Sequence, residues 1–309
     1  MRQTCLNSVY ELAKSDKRIV FIGSDLGVGV LDAFKKEIPD RFFMEGISEQ
    51  LVVGMAAGMA LEGKIPYVNT IATFLTRRCY EQVALDLCLH NLKVRLISNG
   101  GGLVYAPLGP THLAIEDIAI MRVLPNMTVM AAADAVEMRK LMPLTVDVPG
   151  PIYIRIAKGG DPVITDENYS PVWGKIVKKR TGKDIILAAT GITTKLCLDA
   201  AQKLSSLGIE STVLHIPFIK PLDVEGLVKS VAECQRIVSV EEHVLDGGLG
   251  SAILEALADR NLLSGVRVQR IGIPSTFPKN YGSQNELMKS FGIDSGNIVA
   301  VVESMMKSV

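Results

Sequence analysis

What the chain lacks narrows its possibilities first. Lys plus Arg and Asp plus Glu stand at 33 each, so there is neither a basic field for nucleic acid nor an acidic tail. The five cysteines, Cys5, Cys79, Cys88, Cys197 and Cys234, are odd in number and scattered without a CxxC pair. That argues against a disulfide framework and a zinc site, and for a reduced, cytoplasmic protein. The N-terminal stretch MRQTCLNSVYELAKSDKRIVFIGSD carries polar residues at helical intervals instead of a continuous apolar run, so it reads as neither signal peptide nor membrane span. No internal repeat or low-complexity tract is present. Gly23, Gly27 and Gly29 follow an apolar run, but they have neither GxGxxG spacing nor the Lys and Ser/Thr of a P-loop.

What is present is an alternation of short apolar strands and helices. The spacing predicts helices over 3–16, 32–38, 49–62, 74–90, 113–122 and 134–141, with strands over 18–23, 41–43, 66–69, 93–99, 128–132 and 151–155. Strands joined by crossover helices imply a parallel sheet. At AKGGDPVITDENYSPVWGKIVKKRTGKD the periodicity fades among Gly, Pro, Asp and Lys, which marks a boundary. A second α/β pattern follows, with strands over 185–189, 211–215, 237–240 and 266–271 and helices over 194–207, 223–232, 284–291 and 294–307. The expected architecture is two doubly wound α/β domains, 1–165 and 184–309, joined by a linker over 166–183; a length of 309 residues fits two domains.

Three stretches invite chemistry. In FFMEGISEQLVVGMAAGMALEGKIPYVN, Ser48 is placed to cap a helix whose small residues Gly54, Ala56, Ala57, Gly58 and Ala60 permit close approach by another element. Glu45 and Glu49 stand at its start, where Glu49 either answers the helix dipole or serves a site. NGGGLVYAPLGPTH is a loop ending in His112, which is either a functional group or a helix-start cap. EEHVLDGGLGS reads as a strand, a glycine turn and a helix N-terminus, serving an anion or close packing. Glu241, Glu242 and His243 do not form a metal cluster, because neighbours on a strand face opposite ways.

The blocks MEGISEQLVVGMAAGMALEG, TFLTRRCYEQV, GPTHLAIEDIAIMRVLPNM, IKPLD and VEEHVLDGGLGSAI, in this order, resemble the C-terminal section of transketolase. The resemblance spans nearly the whole chain and implies a domain binding the pyrimidine end of thiamine diphosphate, followed by the transketolase C-terminal domain. The β subunits of pyruvate dehydrogenase and the corresponding half of deoxyxylulose-phosphate synthase share this architecture.

By that resemblance Glu49 hydrogen-bonds N1′ of the cofactor's aminopyrimidine and is catalytic. Phe74 packs on the pyrimidine ring, with Arg77 or Tyr80 lining the ring or the entrance; core packing is the other reading of Phe74. Asp25 matches an aspartate near the subunit boundary of the cofactor site. His112 matches the histidine that contacts the donor's hydroxyls and assists proton movement. Ser24, Asn99, Leu108 and Lys158 join His112 on the substrate side.

Three departures bear on the substrate. Leu108 stands where transketolases carry an acidic residue before GPTH, the run from Asn99 to Gly102 replaces an expected histidine, and Lys158 replaces an arginine. The last keeps a charge and loses a planar fork. Together they imply a sugar outside the standard set, with one bearing a phosphate or other anionic group among the candidates. No GDG, the start of the family's diphosphate and Mg²⁺ motif, occurs in the chain.

The implied protein is thus one subunit of a split transketolase that moves a two-carbon ketol unit between sugars. Its partner, the diphosphate-binding subunit, would hold most of the thiamine diphosphate and the Mg²⁺, in a dimer of heterodimers. Alternatives are a non-catalytic regulatory subunit, or a subunit of another thiamine-diphosphate enzyme such as a deoxyxylulose-phosphate synthase or 2-oxoacid dehydrogenase.

Overall fold

A computed structural model describes residues 1–24, 29 and 31–307. Helix α1 (Arg2–Ser15) buries Cys5, Leu6, Val9 and Ala13, the side chains that recur on one face. It leads into β1 (Ile19–Gly23), buried along its whole length, as suits a parallel strand covered on both faces. Then come α2 (Asp32–Glu37), β2 (Phe42–Met44), α3 (Glu49–Leu61) and β3 (Ile65–Ile71). The stretch expected as one helix over 74–90 is helical but not uniform. A π-helical segment, Phe74–Arg78, is followed by the single turn α4 (Tyr80–Gln82) and a second π-helical segment, Val83–Leu89. Next are β4 (Arg95–Asn99), α5 (Asp117–Arg122), β5 (Thr128–Ala131), α6 (Ala135–Leu141) and β6 (Ile152–Ile156).

The second half holds β7 (Val177–Arg180), β8 (Ile185–Ala189), α7 (Thr193–Ser206), β9 (Ser211–His215), β10 (Phe218–Lys220) and α8 (Val224–Glu233). It ends with β11 (Arg236–Val244), α9 (Leu249–Asp259), β12 (Arg267–Ile273), α10 (Gln284–Ser290) and α11 (Ser295–Lys307).

Among the described residues these strands make two sheets, a seven-stranded one in the order β10-β5-β6-β4-β3-β1-β2 and a five-stranded one in the order β12-β11-β8-β9-β7. Strands β1 to β6 pair in parallel, with Gly23 beside Asn69, Ile71 beside Asn99 and Asn99 beside Ile156. Their C-terminal ends therefore share one edge, where loops of such sheets gather binding groups.

The two halves interlock. Strand β10 lies antiparallel on β5, with Phe218 beside Met130, so a strand from the second half closes the first sheet. Buried His215 at the end of β9 reaches Glu137 of α6 at 2.7 Å. The Asp117 and Arg155 carboxylate–guanidinium pair, 2.7 Å, is buried, and Arg155 Nη2 also donates to the Glu242 carbonyl at 2.9 Å. Burial works against the Arg155 charge, but Asp117 outweighs it and raises the guanidinium's pKa above its ordinary value.

Three local expectations differ from what is found. The segment expected as a linker contains β7, whose sequence VKKR is charged because it is an antiparallel edge strand, and edge lysines discourage further pairing. Residues 113–116 are not helical, because Ala114 exchanges backbone hydrogen bonds with Gly102 at 2.7 and 3.1 Å. Ser48 makes no side-chain cap to α3; its hydroxyl donates back to the Glu45 carbonyl at 2.6 Å.

Candidate active site

The shared edge brings together residues from six separate segments. Ser24 follows β1 and is fully buried; its hydroxyl faces Glu49 Oε1 at 3.4 Å. Glu49 opens α3 with only 2% of its surface exposed, while Glu45 before it is exposed. A carboxylate this deep needs a partner. It finds one in Arg78, whose Nη1 stands 2.8 Å from Glu49 Oε2. Arg78 also lays its guanidinium over the Phe74 ring, 4.0 Å from the centroid. The other contact of that ring is His112, edge-on at 5.4 Å between centroids. Ser24, Glu49, Arg78, Phe74 and His112 thus form a continuous chain of contacts.

Beneath them, at the ends of β3 and β4, Asn99 donates from Nδ2 to Asn69 Oδ1 at 2.9 Å. The remaining amide atoms of the pair, Asn69 Nδ2 and Asn99 Oδ1, are buried and have no hydrogen-bond partner among the described residues. Unsatisfied buried polar atoms are uncommon and mark a place where another group belongs. The loop carrying His112 is a half-buried arch. His112 meets Thr111 Oγ1 through Nδ1 at 2.9 Å, and Gly102 at the base of the loop has φ +72°. A Cβ on Gly102 would lie 2.7 Å from Glu242 Oε2, so only glycine lets the loop approach that residue.

Glu242 accepts from the Leu103 amide at 2.7 Å and from Gln284 Nε2 at 2.8 Å, tying the loop to the second half. Burial pushes its carboxyl up to about 7, against the lowering effect of Arg155.

Other residues singled out by sequence lie further out. Arg77 pairs with Glu116, Nη2 to Oε2 at 2.7 Å, and faces the Phe277 ring at 5.8 Å, so it belongs to the rim. Tyr80 turns into the core, its hydroxyl donating to the Ile120 carbonyl at 2.8 Å. Leu108 is 50% exposed on the loop, and Lys158 is exposed just beyond β6. Asp25 lies outside the described residues.

Sequence reasoning missed Arg78, Asn69 and the rim residues Phe277 and Tyr281, the last packed against Gly109. In TFLTRR, two adjacent arginines look alike; only the π-helical turn decides which one faces Phe74.

The turn EEHVLDGGLGS supplies its own anion. Glu241 accepts from the amides of Leu249 and Gly250 at the start of α9, at 2.6 and 2.8 Å. Glu242 turns the other way, to the Leu103 amide, while His243 shares the face of Glu241, its Nδ1 3.8 Å from Glu241 Oε2, and its Nε2 accepts from the Ala119 amide at 3.2 Å. Among the described residues no group of three His, Cys, Asp or Glu side chains is placed to hold a metal, and no helix is long and apolar enough to cross a membrane. A surface depression of about 640 Å³ lined by Lys17, Arg41, Met59 and Lys64 lies by the N-terminal ends of the strands, away from this cluster.

A parallel sheet with a buried helix-start carboxylate, an aromatic face and a loop histidine on one edge is thus followed by a second α/β domain. Residues 1–160 match the model "Transketolase, pyrimidine binding domain" and residues 174–298 match "Transketolase, C-terminal domain". The chain belongs to the transketolase family.

Within that family it has the compass of a split transketolase subunit. It is 36% identical over 308 residues to an apulose-4-phosphate transketolase subunit of Phocaeicola vulgatus, covering 99% of this chain and 97% of that one. The solved structure described as "Split gene transketolase, inactive beta4 tetramer" superimposes with a TM-score of 0.90 at 34% identity, covering 98% of this chain and 97% of that chain. The chain is also 39% identical over 305 residues to 1-deoxy-D-xylulose-5-phosphate synthase 1 of Geobacter sulfurreducens, of which it spans only 47%.

Proposed function

We propose that this chain is the pyrimidine-side subunit of a two-chain, thiamine-diphosphate-dependent transketolase, transferring a two-carbon ketol unit from a ketose to an aldose. The observation that carries the reading is Glu49, a carboxyl group 2% exposed at the end of a parallel sheet, joined to the face of Phe74 through Arg78. The residues present fit an aminopyrimidine. Phe74 already stacks a planar nitrogen-bearing group at 4.0 Å, Glu49 offers a carboxyl beside it, and Asn69 and Asn99 hold unused amide atoms below. When bound, thiamine diphosphate supplies the nucleophilic carbon that takes up the ketol unit.

Glu49 would share a proton with the ring nitrogen, in a setting where burial strengthens the hydrogen bond. Ser24 orients the far oxygen of that carboxyl, and Phe74 fixes the ring plane. His112, edge-on to Phe74, would hold a substrate hydroxyl and exchange its proton at the carbonyl. Mg²⁺ and the diphosphate would lie on the partner subunit.

On the substrate side, Leu108 replaces a polar reader of the sugar with an apolar surface, and Lys158 offers one positive charge at the end of β6. These suit a sugar with an anionic terminus, in keeping with the phosphorylated sugar in the names of the apulose-4-phosphate transketolase relatives. The five cysteines are free and buried, which suits a reducing cytoplasm.

Glu49→Gln, purified with the partner subunit, thiamine diphosphate and Mg²⁺, should lower ketol transfer by about a thousandfold or more while leaving the thermal unfolding midpoint within a few degrees. An unimpaired rate would refute the role. The likeness to the Geobacter synthase favours a second reading, formation of 1-deoxy-D-xylulose 5-phosphate. Accumulation of that sugar phosphate in place of ketol transfer between sugars would select it.

A further inference from the structure

Arg78 covers both groups that the functional reading assigns to the cofactor. Its Nη1 is bound to Glu49 Oε2 at 2.8 Å, and its guanidinium lies 4.0 Å from the centroid of Phe74. A guanidinium is planar, carries N–H donors in its plane and stacks on aromatic faces. An aminopyrimidine makes the same two contacts, a stacked face and an in-plane hydrogen bond to a carboxyl group. The two cannot share one face of Phe74 and one oxygen of Glu49.

We infer that Arg78 is a placeholder, occupying the aminopyrimidine seat in the unloaded subunit and swinging out when the cofactor enters. The inference rests on the functional reading of Glu49 and Phe74 and adds a residue which that reading does not contain.

Burial supports the exchange. The side chain of Glu49 is 2% exposed and that of Arg78 is 41% exposed, so the carboxyl is fixed in the protein while the cation has an open path to water. Without a cation, Glu49 in the unloaded chain would be a buried charge whose other hydrogen-bond contact among the described residues is the hydroxyl of Ser24, 3.4 Å away, at the limit of a hydrogen bond. Arg78 removes that penalty and keeps Phe74 covered. His112 meets Phe74 at 5.4 Å between centroids with the ring planes 67° apart, so it is not itself stacked on that ring.

The contact also has a cost for loading. Only the fraction of molecules with Arg78 displaced is competent, and apparent affinity is reduced by that fraction. Such a contact keeps a lone subunit closed until a partner supplies the rest of the cofactor's binding energy.

The test is the affinity of thiamine diphosphate for the two-subunit complex at saturating Mg²⁺ without substrate, read by calorimetry. Arg78→Met keeps the side chain's length and removes the planar cation; it should lower Kd about tenfold, the competent fraction rising towards one. Arg78→Lys keeps the charge and loses the stack, and should fall between the two. In a Glu49→Gln background the effect of Arg78→Met should shrink to about twofold or less, since the pair is already broken.

A Kd unchanged or raised by both Arg78 variants, with wild-type binding intact, overturns the placeholder and leaves the functional reading standing. Failure of the wild-type complex to bind thiamine diphosphate sinks both. Circular dichroism of each variant confirms that the ratio compares folded proteins.

Discussion

Glu242 is buried, bound to the His112 loop through Leu103 and to α10 through Gln284, and lies among residues that join the two halves. Its carboxyl is raised from 4.5 to about 7, with burial as the leading cause. For an acid raised in the folded state, the native protein holds the proton while the unfolded chain has released it. Stability therefore falls as pH rises from about 4.5 through about 7, and the loss is complete above that.

Glu242→Gln keeps an acceptor for Leu103 and cannot ionise. The unfolding free energy of the variant minus that of wild type should climb across this window by an amount of the order of a few kcal/mol. Parallel denaturation curves at pH 5 and pH 8 would contradict it.

The family resemblance singled out Glu49, Phe74 and His112, and the structure brings the three onto one sheet edge, linked through Arg78. Arg78 was not legible, since its choice over Arg77 depends on how a π-helical turn rotates two neighbours. Glu242 was hidden for a similar reason: nothing in VEEHV says which glutamate crosses to the neighbouring loop and which turns back to cap α9.

Helix α3 shows what an element can disclose beyond its own residues. Its inner face buries Val52, Val53, Ala56 and Ala57. Outward it leaves Leu51 64% and Leu61 67% exposed, and Leu89 is 70% exposed on the second π-helical segment, which packs on α3. Exposed leucines on two packed elements, with small residues such as Gly54 and Gly58 on α3, suit a subunit interface.

Burying one such leucine fully contributes roughly 2 kcal/mol, and replacing it with a charge costs more. Leu51→Arg with Leu89→Arg should therefore reduce the assembly to smaller species in light scattering, with the circular dichroism spectrum retained. An unchanged mass would place the interface elsewhere.

Most helices and strands were predictable from apolar spacing. Strands β7 and β10 were not, because β7 is charged like a loop and β10 has only three residues before Pro221. Pairing with β9 and β5 makes them strands, and pairing is not a property of a short segment alone.

At the scale of the whole molecule, the proposed function gives the chain one side of a cofactor site, and among its described residues no group of three His, Cys, Asp or Glu side chains is placed to hold a metal. At the shared edge of the first sheet half-buried Phe74 and His112 meet, with the Arg78 guanidinium over the Phe74 ring. The second half holds that edge in shape through β10, the pair of His215 with Glu137, and Glu242 under the loop.

On the proposed function, this site becomes an enzyme only when a second chain completes it. The direct measurement is ketol transfer by the purified chain with thiamine diphosphate and Mg²⁺, alone and after titration with the diphosphate-binding subunit. The expected result is no turnover for the chain alone and a rise to a plateau at equimolar partner. Turnover by the chain alone, at a rate the partner does not change, would contradict it.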